Sequence, residues 1–349
     1  MEEKALKIAA ISLAVLTVFV CVLIPYLPHI HTIDMEARER RLAEAEYADS
    51  QMQMQDLVLK DEGSADTQKG QLSIRLPEGI NGAEVQVSND YVTQTVRVEI
   101  PGTDVAYFDS YPIAGSSSYI DNLSYAKQNG KGIIEIVTDR VYELDMTYDE
   151  NYYYFNFLTP QEVYDKVVVI DAGHGGRAPG ATKQSVKEKD IDLTIVLQLQ
   201  KIFEECDENI GVYYTRTDDS NPTFDQRVQL ANKSNANLFI SIHNNSTRSG
   251  RMSGTKGTQV MYSETSAESE AFAEICLEEV TSALGSRNKG LVEGNSIYII
   301  RTSEVPVALI EVGFMTNQEE LDLLRTEEYQ RQAAEGIYEA ILRAFEEGY

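Results

Sequence analysis

The hydrophobic period changes three times along the 349-residue chain. Residues 8–24, IAAISLAVLTVFVCVLI, carry no charge, and apolar character continues weakly through Leu27. A run of this length is just enough to span the hydrocarbon of a bilayer. Lys4 and Lys7 precede it, which favours a cytoplasmic N-terminus. The segment after it, PYLPHIHTID, lacks the small-residue cleavage site of a signal peptide. The pattern predicts a cytoplasmic stub at 1–7 and a single-pass membrane anchor at 8–27, with the rest of the chain outside the cytoplasm. Secretion after signal cleavage is the alternative. Residues 28–69 are polar and acidic, and read as a solvated helical stalk followed by the flexible linker DEGSADTQKG.

Between 70 and 160 the period becomes two. QLSIRL, AEVQVS, TQTVRVEI, GIIEIVT and YYYFNFL alternate apolar and polar positions, with NG, PG and GSSS between them. Short strands at this spacing predict a small all-β sandwich. Tyrosines crowd this region, among them Tyr91, Tyr111, Tyr125, Tyr148 and Tyr153. They read either as a sugar-stacking face or as good strand formers with wet hydroxyls.

From 161 to 349 strands and helices alternate. VVVI (167–170) is the continuous apolar run of a buried parallel strand. A helix from Glu188 follows, with Ile191, Ile195, Leu199 and Phe203 on one face. Then come GVYYT, a helix near 225–234, LFISI, TQVMY, and a helix near 267–284. SIYII, VALIEV and a final helix through 327–345 complete the chain. The fold class predicted is α/β, an open and mostly parallel sheet with helices on both faces.

The polar residues fall at strand ends. His174 lies four residues past Ile170, His243 directly follows LFISI, and Glu311 directly follows VALI. In a mostly parallel sheet these ends share one rim, where active sites assemble. Glu188 opens the next helix at the same rim. Two imidazoles and one carboxylate suit a catalytic Zn²⁺, which takes three protein ligands and a water. A further carboxylate is needed to accept the proton of that water. Spacing alone leaves open which glutamate does which. Gly173, Gly175 and Gly176 let the chain turn sharply around His174.

Composition narrows the partners. Asp and Glu outnumber Lys and Arg by 56 to 30, a net charge of −26, which argues against nucleic acid. Three cysteines without a CxxC exclude a disulfide framework and a Cys-rich zinc site.

Five ordered motifs carry a resemblance. VVVIDAGHGGRAPGA, KEKDIDLTIVLQL, YYTRTDD, DQRVQLANKSNANLFISIHNNS and VALIEVGFMTNQEELDLL resemble those of the zinc-dependent N-acetylmuramoyl-L-alanine amidases of bacterial cell walls. The resemblance covers about 165–345. It implies that His174, Glu188 and His243 bind Zn²⁺ and that Glu311 is the catalytic carboxylate. It implies hydrolysis of the amide between N-acetylmuramic acid and L-alanine in peptidoglycan. Asn245 and Arg287 are candidate substrate-holding residues. The family pattern usually has Asn at the place of Asp192 and often Ala at that of Asn244. Some members block their zinc with an insertion before the penultimate helix. VMYSETSAESEAFAEICLEEV leaves no room for one here. The β-rich region resembles, in pattern and position, sandwich domains that localise such amidases on the wall. The rivals are a zinc hydrolase acting on another wall bond and an inactive, anchored wall-binding protein.

Overall fold

The computed structural model describes residues 27–61 and 70–349. The anchor expected at 8–27 lies outside the described residues except for Leu27, and so does the stub at 1–7. Among the described residues no helix is long and apolar enough to cross a membrane. The first element among the described residues is helix α1 (Leu27–Ser50).

Among the described residues ten strands form the sandwich: β1 (Gln55–Asp56), β2 (Lys60–Asp61), β3 (Leu72–Arg75), β4 (Gln86–Asp90), β5 (Thr95–Pro101), β6 (Ala114–Gly115), β7 (Ile120–Gln128), β8 (Lys131–Thr138), β9 (Glu143–Tyr148) and β10 (Tyr152–Leu158). One sheet runs β1-β7-β8-β5-β4 and the other β2-β6-β3-β10-β9. The alternation in TVRVEIP and YYYFNFL puts Val96, Val98, Ile100, Tyr153, Phe155 and Phe157 into the shared core. The first two strands come from the stretch expected to be stalk and linker, with Gln55 opposite Tyr125 and Lys60 opposite Ala114. Two-residue strands are too short to show a period of two, so pattern alone could not find them. Tyr125, Tyr142 and Tyr153 are buried, whereas Tyr111 and Tyr148 are exposed. Many of the tyrosines thus serve the sandwich core.

The C-terminal half holds a six-stranded sheet of β11 (Lys166–Ala172), β14 (Ile210–Tyr214), β15 (Leu238–Asn245), β16 (Thr258–Tyr262), β17 (Asn288–Glu293) and β18 (Val307–Phe314). A separate small hairpin joins β12 (Thr182–Lys183) to β13 (Val186–Lys187). The sheet order is β14-β11-β15-β18-β16-β17. The first four run parallel, β16 is antiparallel to β18, and β17 is parallel to β16. The sheet is therefore mixed. SIYII is not a strand: it leads into the short helix α7 (Tyr298–Thr302). The outermost strand is instead NKGLVE, whose polar composition hides it.

The remaining helices are α2 (Val105–Ser110), α3 (Pro160–Val163), α4 (Glu188–Glu204), α5 (Phe224–Lys233), α6 (Ala267–Leu284), α8 (Gln318–Leu324) and α9 (Glu327–Glu346). One sheet face packs on α4, α6 and α9 through Ile195, Leu199, Phe272, Val280, Ile337 and Ile341. The other packs on α5 and α7 through Val228, Leu230, Ile299 and Ile300. The sandwich abuts the β14 edge, where Glu143 accepts hydrogen bonds from Tyr213 (2.6 Å) and Tyr91 (2.8 Å). The central strands β11, β15 and β18 are buried on both faces, which holds their C-terminal ends in fixed register: Ala172 lies beside Ile242, and His243 beside Glu311. Phe239 is fully buried in this core. Phe239→Ala is expected to cost about 3–5 kcal/mol, read as a lowered urea midpoint.

Candidate active site

The site begins at the end of β11. His174 has φ +57°, followed by Gly175 at +133° and Gly176 at +47°. A β-carbon on Gly173 would lie 2.4 Å from the His243 ring. One on Gly180 would lie 2.6 Å from both Glu188 Oε2 and His174 Cδ2. Those two glycines leave the space that the His243, Glu188 and His174 side chains occupy.

Two buried arginines hold this strained turn from behind. Arg216 donates to the carbonyls of Ala172 (3.0 Å), Gly173 (2.6 Å) and Lys189 (3.0 Å). Arg227 donates to the carbonyls of Ala172 (2.6 Å) and His174 (2.5 Å), and to Asp171 Oδ1 (2.5 Å). Asp171 also accepts from Thr215 and Ser241, each at 2.6 Å. Burial works against its ionisation, but the Arg227 charge and these hydrogen bonds win and lower its acid to about 2. Asp171, Arg216 and Arg227 were not singled out as site residues from sequence. Their only signal was their place inside the quoted motifs.

The structure brings three of the expected residues together. His174 Nε2 lies 3.0 Å from Glu188 Oε1 and 3.2 Å from His243 Nδ1, and His243 Nδ1 lies 3.2 Å from Glu188 Oε1. Donors bound at ~2.0–2.1 Å to a tetrahedral ion lie about 3.3 Å apart, so this triangle fits zinc. Glu188 is pinned through both oxygens: Oε2 accepts from the Ala181 amide (2.6 Å), Oε1 from the Asn244 amide (3.1 Å). Burial opposes its charge, yet His174 and His243 hold its acid well below the usual range. Burial opposes a charged His174 as well, but the carboxylates of Glu188 and Glu39 push it well above an ordinary imidazole. The two shifts are the two sides of one imidazole–carboxylate pairing.

Glu311 sits one strand away from His243, on the same rung. Its Oε2 is shielded from solvent and has no hydrogen-bond partner among the described residues. Burial and the nearby Glu188 charge push its acid up to about 8. Asp192, one turn after Glu188, joins the cluster, since one ligand atom from each of His174, Glu188, Asp192 and His243 falls within 4.8 Å of the others. Burial and the Glu188 charge push the Asp192 acid well above its ordinary value. Asn244 Nδ2 donates to Asp192 Oδ1 at 2.7 Å, so the two departures from the family pattern form one buried contact.

Asn245 lines the 570 Å³ cleft that contains these groups. Arg287 does not. It precedes β17 on the same rim but beyond β16, where its carbonyl accepts from the Thr258 amide.

Residues 168–343 match the family described as N-acetylmuramoyl-L-alanine amidase. The chain belongs to this amidase family. It is 33% identical over 196 residues to the germination-specific N-acetylmuramoyl-L-alanine amidase of Bacillus subtilis, covering 52% of this chain and 81% of that one. It is 35% identical over 183 residues to the B. subtilis protein YqiI, covering 52% and 85%. The crystal structure of an N-acetylmuramoyl-L-alanine amidase from Clostridium difficile 630 superposes with a TM-score of 0.50 at 32% identity, covering 53% of this chain and 98% of that one. This amidase is thus a peptidoglycan hydrolase, and its catalytic fold combines a mixed sheet with packed helices.

Two substitutions test how the site is held. Gly173→Ala displaces the His243 imidazole and is expected to weaken zinc binding about 10–100-fold, measured by chelator competition, with an unchanged circular dichroism spectrum. Arg227→Met strands the buried Asp171 charge and is expected to cost about 3–5 kcal/mol, measured by urea unfolding.

Proposed function

We propose that His174, Glu188 and His243 hold a zinc ion, and that Glu311 is the general base in hydrolysis of the amide joining N-acetylmuramic acid to L-alanine. The observation that carries this reading is the 3.0–3.2 Å donor triangle with Glu311 on the adjacent strand. When bound, zinc polarises the scissile carbonyl and lowers the pKa of its water towards ~7.

The chain's own groups do the rest. Glu188, anchored by the Ala181 and Asn244 amides, fixes the triangle in place. Glu311 reaches its ionised, proton-accepting form beside a positive charge in the triangle, which counters both burial and the Glu188 carboxylate. It takes a proton from the attacking water and passes it to the leaving amine. The C–N bond breaks, leaving a lactyl carboxylate on the glycan and a free amino group on the stem peptide. Asn245 lines the cleft, which supports a role in holding the substrate.

The apolar run at 8–27 supports a membrane-anchored chain with its catalytic half outside the cytoplasm. The sandwich preceding the catalytic half supports a role in localising the enzyme on the wall.

The test is digestion of purified peptidoglycan, with mass spectrometry of the products. The expected products are glycan with free muramic acid carboxyls and peptides with L-alanine N-termini. Glu311→Gln is expected to lower kcat by about 10²–10⁴ with zinc content unchanged. Near-normal turnover in that variant, or cleavage of another bond, contradicts the assignment.

A further inference from the structure

The helix expected to act as a spacer lies across the catalytic cleft. Among the described side chains of α1, those at least partly withdrawn from solvent are Glu36, Glu39, Leu42, Ala43 and Glu46. Their spacing of three and four places them on one helical face. That face is acidic, while Arg38, Arg40 and Arg41 are exposed.

Each inward carboxylate meets the catalytic half. Glu36 accepts a hydrogen bond from the Tyr298 amide at 2.8 Å. Glu39 Oε1 lies 3.1 Å from His174 Nδ1. Glu46 accepts from the Arg177 amide at 2.6 Å. Ala43, between them, is 1% exposed. Arg40 adds a contact over the Tyr298 ring at 5.0 Å. The span from Glu36 to Glu46 is about 15 Å of helix, and it runs from α7 past His174 to the 175–177 turn. Met35, Glu36 and Glu39 line the same cleft as His174, Glu188, His243 and Glu311.

A glycan strand carrying its stem peptide needs the space that this helix takes. The contacts that seat the helix are mostly polar, with Ala43 the one inward residue that is fully buried, so it is held by interactions that water can replace. The junction between β16 and α6 spans only Tyr262 to Ala267, so this cover comes from outside the catalytic half.

We propose that α1 is an intramolecular occupant of the substrate cleft, keeping the amidase closed until the helix is displaced. This rests on the reading of the cleft as the amidase site.

The test compares the full chain with two full-length variants. Ala43→Arg places a large cation on the buried face, and Glu36→Gln/Glu39→Gln/Glu46→Gln removes the charges. Hydrogen exchange at the Arg177 and Tyr298 amides reports docking, and zinc content is measured in parallel. The expected result is faster exchange at both amides, unchanged zinc, and peptidoglycan hydrolysis raised at least about fivefold, as follows if the open form is a minority. Faster exchange with an equal or lower rate overturns the proposal, as does unchanged exchange in both variants. Loss of zinc in the triple variant also overturns it, since the helix would then belong to the metal site. Failure of the amidase reading looks different: no form of the chain hydrolyses the wall while zinc and exchange behave as expected, and the restraint falls with it.

Discussion

Two imidazoles and a carboxylate do not stay within 3.2 Å of one another of their own accord. Each must be stripped of water, and each is held by backbone that has little freedom. His174 stands on a left-handed turn whose carbonyls are gripped by Arg216 and Arg227. His243 fills the space left by the missing side chain of Gly173. Glu188 is fixed by two amides. The Asp171–Arg227 pair beneath the turn is the deepest part of this support. A buried pair of this kind is weak evidence for net stability, but loss of one partner is costly, so its value here lies in holding one geometry.

The same rim gathers function from all parts of the chain. The parallel strands β11, β15 and β18 deliver His174, His243 and Glu311 because their C-terminal ends share an edge. α4 delivers Glu188 from its first residue and Asp192 one turn later. The N-terminal helix α1 then lies over the result, so the acidic composition that made nucleic acid an unattractive partner also supplies the carboxylates that meet the cleft. The sandwich abuts the β14 edge of the sheet through Glu143, Tyr91 and Tyr213.

Much of the catalytic half was legible beforehand because its elements are long and strongly periodic. VVVI, LFISI and VALIEV announced buried strands, and His174, His243 and Glu311 lie where those strands end. What escaped pattern reading has physical causes. β17 is polar because it is an outer strand, and α7 holds an apolar run too short to distinguish helix from strand. Asp171, Arg216 and Arg227 look like ordinary charges in a sequence, since burial and partners define them. The docked face of α1 is made of three glutamates, one leucine and one alanine. Hydrophobic period cannot reveal such a face, because a helix that packs through carboxylates reads as solvated on every side.

The most direct measurement is the zinc K-edge X-ray absorption spectrum of the full chain loaded with one equivalent of zinc. The account predicts only nitrogen and oxygen neighbours at about 2.0–2.1 Å, with outer-shell scattering from two imidazole rings that falls to one in His243→Ala. A sulfur neighbour near 2.3 Å, imidazole scattering that survives His243→Ala undiminished, or failure to bind one equivalent of zinc would contradict it.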